Sequence, residues 1–367
     1  MLGLIAVGSF PALHYYFGIP TVPQPHRYHL EVEMLIAVLL CGVFRIAFSR
    51  KWAAILLTPL LVVFFVSQLI SFKRYADSII HGIDIQTTAQ YKVATWAREK
   101  LAPQDRMFVA GDTGFLFNLF SPILQVSSGH QPSSPNFIQQ VGTYTIHTGM
   151  NTGGDQQDAR YSLLWLRAFG VKAVLVPGPL QGGSQQPFSR PDKFEGVIPV
   201  IGKPGGWRVY DVGLLQGSLF RIVPEGSIVR NAPIHGLDVV ELEPFVNALQ
   251  MTPPSLNVHE LHPGEWNVTG TVPPGNALSI AMNYDVGWRA FRNDQELEVK
   301  KDALGLMVIH PECAVPCRIR LEYDGGLLRK ICLTISIASW FVLFWVIFTN
   351  HYMILKVPAK RLRPSRG

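Results

Sequence analysis

Two long runs without a charged side chain set the first limit on how this chain can fold. Ala53 to Phe72 is 20 residues with no Asp, Glu, Lys or Arg. At about 1.5 Å rise per residue, a helix of that length spans about 30 Å, the thickness of a bilayer core. Ile331 to Thr349 is the second run. Its two Trp and three Phe are too much apolar surface for a helix with one face in water. A third segment, Glu33 to Phe48, is interrupted only by Arg45, whose long side chain can snorkel to the headgroups. The weakest, Met1 to Ile19, contains Pro11 and His14. It lacks the basic start and small-residue cleavage site of a signal peptide, so it reads as a further span. The expected membrane helices are about 1–19, 33–48, 53–72 and 331–350.

Only 16% of the 367 residues are charged, against roughly 25% in an average soluble domain. The net charge of +6 owes much to the last dozen residues, where Lys356, Lys360, Arg361, Arg363 and Arg366 follow the final span. A basic tail beside an apolar run is a cytoplasmic membrane flank, and no nucleic-acid partner is expected. Four spans put both termini on one side and Lys73 to Lys330 on the other. On the terminal side, Arg45, Arg50, Lys51 and the five tail cations make eight. On the other, Arg27, Lys73, Arg74, Arg329 and Lys330 make five. The positive-inside rule then places the large middle segment outside the cell membrane and residues 351–367 in the cytoplasm. Cys313 and Cys317, in the order CAVPC, lie in that outer segment and can close a small loop as a disulfide, which needs an oxidising compartment. Zinc would need more ligands than His310 supplies.

The outer segment changes character part-way. Residues 74–215 alternate helix and strand, an α/β pattern. Thr87 and Gln90 form a T-x-x-Q capping box ahead of Val93, Trp96, Ala97 and Leu101 at helical spacing. A buried strand over Met107 to Ala110 follows, then a helix over about Gln156 to Phe169 closed by Gly170, then a strand over Val171 to Val176. Between them, Gly114 to Gly153 reads as a long irregular loop. Its His130, Asn136, Tyr144, His147 and Asn151 suit either a sugar-binding surface or a loop packed on the membrane face. Residues 216–330 read as a β-sandwich. Seven short strands are expected, beginning near Ser255, Glu265, Leu278, Trp288, Glu296, Met307 and Cys317, with turn residues between them. The fold class is therefore membrane α-helices carrying an extracytoplasmic α/β part and a β-sandwich, α+β overall.

The stretch NYDVGWRAFRNDQELEV, followed by LMVIHPECAVPCRIRLEYDGG and a membrane helix, resembles the C-terminus of YfhO-type bacterial membrane proteins. Gly287, Trp288 and Ala290 carry the more specific part of the match, with a hairpin turn at Asn293-Asp294 and a closing strand at Leu321 to Asp324. Pro25 to Glu33 and Gln90 to Gly111 look like earlier segments of the same family. That family is similar to GT-C glycosyltransferases, which take a sugar from a polyprenyl-phosphate carrier at the outer face of the inner membrane. The resemblance implies three partners: membrane lipid, a polyprenyl-phosphate sugar donor and a cell-envelope glycan acceptor. The resemblance leaves room for a divalent metal in the full-length family; no cofactor is legible here. Such enzymes carry ten or more spans and an acidic first outer loop. This chain shows about four spans and no D-x-D motif, so the resemblance makes it the C-terminal portion of such a protein.

Glycosyl transfer from a lipid phosphate needs a base, cations on the leaving phosphate and stabilisation of an oxocarbenium-like sugar. The short outer loop before the second span offers Arg27, Tyr28 and His29 for the phosphate, and Glu31 and Glu33 as candidate bases. The same residues would also serve as an interfacial anchor, with Glu at a helix start. Tyr284 and Trp288 could stack on sugar, and Asp112 sits at a strand's carboxyl end, where α/β sheets bind ligands. The alternative to an enzyme is a non-catalytic, membrane-anchored carbohydrate-binding or scaffold protein.

Overall fold

The protein is described here from a computed structural model covering residues 29–48, 51–79, 82–111, 113–126, 136–178, 187–216, 218–251 and 256–355, with positions 9, 13 and 15–17. Most of the expected first span and tail residues 356–367 lie outside the described residues. The chain divides into two compact units, Met1–Ile83 and Asp84–Gly367.

In the first unit, α1 (His29–Phe48) and α2 (Lys51–Ile79) cover the expected spans at 33–48 and 53–72. Apolar side chains such as Leu60, Phe64 and Phe72 are exposed in α2, and among its described side chains none is buried. Its hydroxyls turn back on their own helix: Ser67 donates to the Phe64 carbonyl at 2.7 Å. Such back-bonding removes the penalty of a polar group in hydrocarbon. Two helical stretches among the described residues are long and apolar enough to cross a membrane, Thr58–Ser78 and Arg329–Val346.

The second unit begins with a 3₁₀ turn and helix α3 (Ala89–Lys100). The cap falls one residue later than expected. Thr87 is used in the 3₁₀ turn, where its hydroxyl donates to the Asp84 carbonyl, and Thr88 accepts from the Tyr91 amide instead. Helix α3, β1 (Arg106–Val109), α4 (Thr113–Phe120) and β2 (Leu124–Gln125) follow in order. Then come α5 (Phe137–Thr148), α6 (Asp155–Ala168), β3 (Ala173–Val176), β4 (Val200–Gly202) and β5 (Arg208–Asp211). The five strands form one sheet in the order β2-β1-β3-β5-β4, parallel at β2-β1-β3 and antiparallel beyond. Gly170 closes α6 with φ +70°, and a Cβ there would lie 1.9 Å from the Ser218 carbonyl oxygen, so only glycine fits.

The segment expected as an irregular loop over 114–153 contains α4, β2 and α5. Helix α5 shows no large apolar stripe because it packs through small residues. A Cβ on Gly142 would lie 2.6 Å from the Phe169 and Trp165 rings of the neighbouring helix end. Asn136 caps α5 by accepting from the Ile138 and Gln139 amides, and Gly149 ends it in the left-handed conformation.

The remaining chain supplies β6 (Phe220–Pro224), α7 (Leu242–Met251), β7 (Asn257–His262), β8 (Glu265–Val272), β9 (Asn276–Asn283) and β10 (Trp288–Arg292). These are followed by β11 (Gln295–Leu297), β12 (Lys300–Lys301), β13 (Leu306–Ile309), β14 (Cys313–Tyr323) and α8 (Gly326–Leu355). Two antiparallel sheets result, β11-β10-β14-β8-β7 and β12-β13-β9-β6. Leu278, Ile280 and Met307 from one and Trp266, Ile319 and Leu321 from the other share a single apolar core. Asn293 and Asp294 both take positive φ, which a two-residue hairpin loop between twisted strands requires.

The α/β layer and the sandwich are not separated by a core boundary near 215. Phe108, Trp165 and Phe169 join Val223, Leu304 and Leu306 in one buried cluster. Two arginines reinforce the seam, Arg221 buried and Arg106 half-buried. Arg221 donates to the Arg167 and Ala168 carbonyls, and Arg106 donates to the Phe169 carbonyl at 2.8 Å. Together they satisfy the orphan carbonyls at the negative end of α6. Burial lowers the Arg221 pKa to about 9 and that of Arg106 to about 10.

Candidate functional site

A surface groove of about 650 Å³ runs between α5 and the turn at residues 234–237. Helix α5 presents Phe137, Gln140 and Tyr144 to it, three and seven residues apart along one face. Phe137 is 68% exposed, Tyr144 48% and Ile234 84%. Met150 and Asn151 close one end, and His235 contributes an imidazole from the opposite wall. Its Nδ1 accepts from the Leu237 amide at 3.3 Å, which leaves Nε2 to donate. Among the described residues, no Asp or Glu lines the groove.

Close backbone approach sets the width. A Cβ on Gly236 would lie 1.6 Å from the Thr145 hydroxyl oxygen, so the turn meets α5 only because this position is glycine. The Gly236 carbonyl accepts from Trp165 Nε1 at 2.8 Å, tying the turn to α6 through the core.

Below the α5–α6 connection lies a buried ionic centre. Lys193 donates to Asp158 Oδ1 at 2.9 Å, and both side chains are fully shielded from solvent. Lys193 also donates to the Ile146 carbonyl, and its ammonium lies 5.4 Å from the Phe194 ring centroid. The Asp158 carboxylate fills the space a side chain on Gly149 would need, with Oδ2 at 2.0 Å from that Cβ position. Burial pushes the Lys193 ammonium below the ordinary lysine value, against the opposing attraction of Asp158. Arg190 extends the network to Thr152 and Asp155, fixing the loop that carries Met150 and Asn151.

His147 faces the core rather than the groove. Its Nδ1 lies 2.7 Å from the Pro187 carbonyl, and its ring packs on Phe108 and Phe188. The carbonyl can only accept, so the neutral ring carries its proton on Nδ1. Burial lowers its pKa to about 4. Of the residues expected on a sugar-binding loop, Tyr144 and Asn151 line the groove. Asn136 is a helix cap bonded to Asn283, His147 is buried, and His130 lies outside the described residues.

The other sequence candidates fall elsewhere. Arg27, Tyr28 and Asp112 lie outside the described residues. His29 opens α1, and Glu31 and Glu33 follow in its first turns, both exposed. Trp288 packs on Tyr323, its partner across the β10–β14 pair, with ring centroids 5.0 Å apart. Tyr284 and Trp288 are half-buried against the sandwich core, and neither lines the groove. Cys313 and Cys317 are joined in a disulfide with Cα atoms 5.9 Å apart. It closes a bulge: Cys313 pairs with Val272 and Cys317 with Gly270, so four steps on β14 oppose two on β8. Among the described residues, no group of three or more His, Cys, Asp or Glu is arranged to hold a metal ion.

Sequence reasoning missed Phe137, Gln140, Met150 and the 234–237 turn. The spacing of Phe137, Gln140, Tyr144 and Thr148 was the available signal, since it repeats at helical intervals. Comparison with protein families, with curated proteins and with solved structures finds no match to this chain.

Proposed function

We propose that the chain is a membrane-anchored protein whose globular unit faces the outside of a bacterial cell membrane and binds a cell-envelope glycan. The observation that carries this reading is the groove. It sets the aromatic rings of Phe137 and Tyr144 beside amide and imidazole groups from Gln140, Asn151 and His235. A sugar ring offers apolar C–H faces and hydroxyl edges, and aromatic faces beside orienting polar groups suit both. Glycosyl transfer needs a base near the acceptor hydroxyl, and among the described residues no Asp or Glu lines the groove, so the reading is one of binding. The apolar helices and the Cys313–Cys317 disulfide support the location.

A second reading keeps the protein within glycosyltransferase chemistry of the GT-C type, acting on a polyprenyl-phosphate-linked sugar. Glu31 and Glu33 favour it, as exposed carboxylates at the start of an apolar helix. In that reading the groove holds the acceptor glycan, and an upstream half or a partner completes the catalyst. Arg27→Ala then abolishes transfer with expression intact, and Arg27→Lys rescues only partly, because a point charge cannot supply paired hydrogen bonds.

Co-sedimentation of the full chain in nanodiscs with peptidoglycan sacculi, chitin and cellulose tests the binding reading. Retention on at least one polymer, lost in Tyr144→Ala, is expected. No retention on any polymer would reject it.

A further inference from the structure

Helix α8 grows out of the sandwich without a linker. Strand β14 ends at Tyr323 and the helix begins at Gly326. Asp324 holds the junction: its Oδ1 accepts from the Gly326 amide at 2.7 Å and its Oδ2 from Lys330 Nζ at 3.1 Å. These contacts hold the Asp324 carboxyl below its ordinary pKa, the Gly326 amide contributing most.

The β9–β10 turn is pressed against the same point. The Asp324 amide donates to the Gly287 carbonyl at 2.9 Å. A Cβ on Gly287 would lie 2.8 Å from both the Gly326 nitrogen and the Tyr323 ring. The turn and the first turn of α8 are therefore one packed body, and glycine at 287 is a condition of it. Val286, at the tip, sits beside Gly326: its Cγ2 is 3.4 Å from the Cβ position of that glycine. Val286 is 76% exposed and Leu327 71%.

We propose that this collar is a seat on the bilayer surface, with Val286 and Leu327 inserted at the boundary between headgroups and acyl chains. The proposal rests on α8 being a membrane span. The apolar stretch of α8 begins at Arg329, and Val286 lies level with Gly326, three residues or about 4.5 Å outside it. The exposed apolar surface is therefore continuous with the span. Arg329 and Lys330, within one turn of Leu327, reach outward to the lipid phosphates with their long side chains, and Tyr323 of the Trp288–Tyr323 pair lies near Arg329. Basic and aromatic side chains flanking a span are the chemistry of the membrane interface, which selects a phospholipid surface over a protein partner. Because the junction has no flexible linker, the seat fixes the tilt of the sandwich on the membrane.

The test uses the full chain with Cys41→Ser and Cys332→Ser, the disulfide left intact, in vesicles of phosphatidylethanolamine and phosphatidylglycerol. An environment-sensitive fluorophore is placed at Val286→Cys, at Leu343→Cys within α8, or at Val240→Cys in the loop before α7. Shallow or deep nitroxide lipids serve as quenchers. The seat predicts loss of fluorescence at Val286 with shallow quencher, at Leu343 with deep quencher, and at Val240 with neither. Quenching at Leu343 without quenching at Val286 overturns the seat and leaves the span standing. Quenching at neither position overturns both.

Discussion

The Lys193 ammonium donates to the Asp158 carboxylate at 2.9 Å with both side chains closed off from water. The pair sits between α6 and the loop that carries the groove's Met150 and Asn151. Removing one charge leaves the other buried and unpaired. Asp158→Ala should therefore destabilise the chain by about 3–5 kcal/mol, while the double variant Asp158→Leu with Lys193→Met recovers much of the loss. Thermal unfolding of the full chain in detergent checks this. A double variant no more stable than Asp158→Ala would show that the pair's value is not chiefly electrostatic.

His147 should make stability depend on pH. Its folded pKa of about 4 lies below the ordinary 6.5 because burial disfavours the imidazolium. Between those values the unfolded chain binds more protons than the folded one. Stability from this group is complete above pH 6.5, falls as pH drops to about 4, and is level below that. The full difference is about 3 kcal/mol. His147→Asn keeps a donor for the Pro187 carbonyl without titrating. The slope of Tm against pH across that window should flatten in the variant, and an unchanged slope would assign it to other groups.

The sandwich was legible because its signals are local. Apolar alternation marks β8 at Glu265–Val272, and Asn293-Asp294 announces its hairpin. Helix α5 was not, because its buried face is Gly142, Thr143, Thr145, Ile146 and His147, in which Ile146 is the one large apolar side chain. The groove was half legible. Tyr144 and Asn151 stood out as aromatic and polar residues, but their facing wall at Ile234 to Leu237 is remote in sequence. Nothing in a turn's composition says which helix it will meet. The glycine at 236 permits the contact with Thr145 without naming that partner.

That contact gives a direct perturbation of the groove. Gly236→Ala forces the turn away from α5, at a cost of about 1–3 kcal/mol from overpacking. Thr145→Ala in the same chain removes the hydroxyl nearest the new methyl and should recover part of the loss. The coupling is read from a double-mutant cycle. Strict additivity would mean the turn yields without touching Thr145.

The proposed outer location of the globular unit makes the Cys313–Cys317 disulfide a reporter of sidedness. Its small loop implies about 2 kcal/mol of stabilisation from restricting the unfolded chain. In cells carrying the Cys41→Ser and Cys332→Ser chain, maleimide labelling should require prior reduction. Reporter fusions after Leu355 and after Leu215 should report opposite compartments. Labelling without reductant, together with matching reporters, would place the unit in the cytoplasm.

The proposed binding of glycan in the groove between α5 and the 234–237 turn can be titrated. Calorimetric titration of the full chain in nanodiscs, using oligosaccharides released from whichever polymer retains it, tests this most directly. Saturable binding is expected, weakening about tenfold in Tyr144→Ala, equivalent to ~1.4 kcal/mol, and unchanged in Trp288→Phe. Undiminished binding in a folded Tyr144→Ala chain, with loss in Trp288→Phe, would contradict it and move the site to the sandwich aromatics.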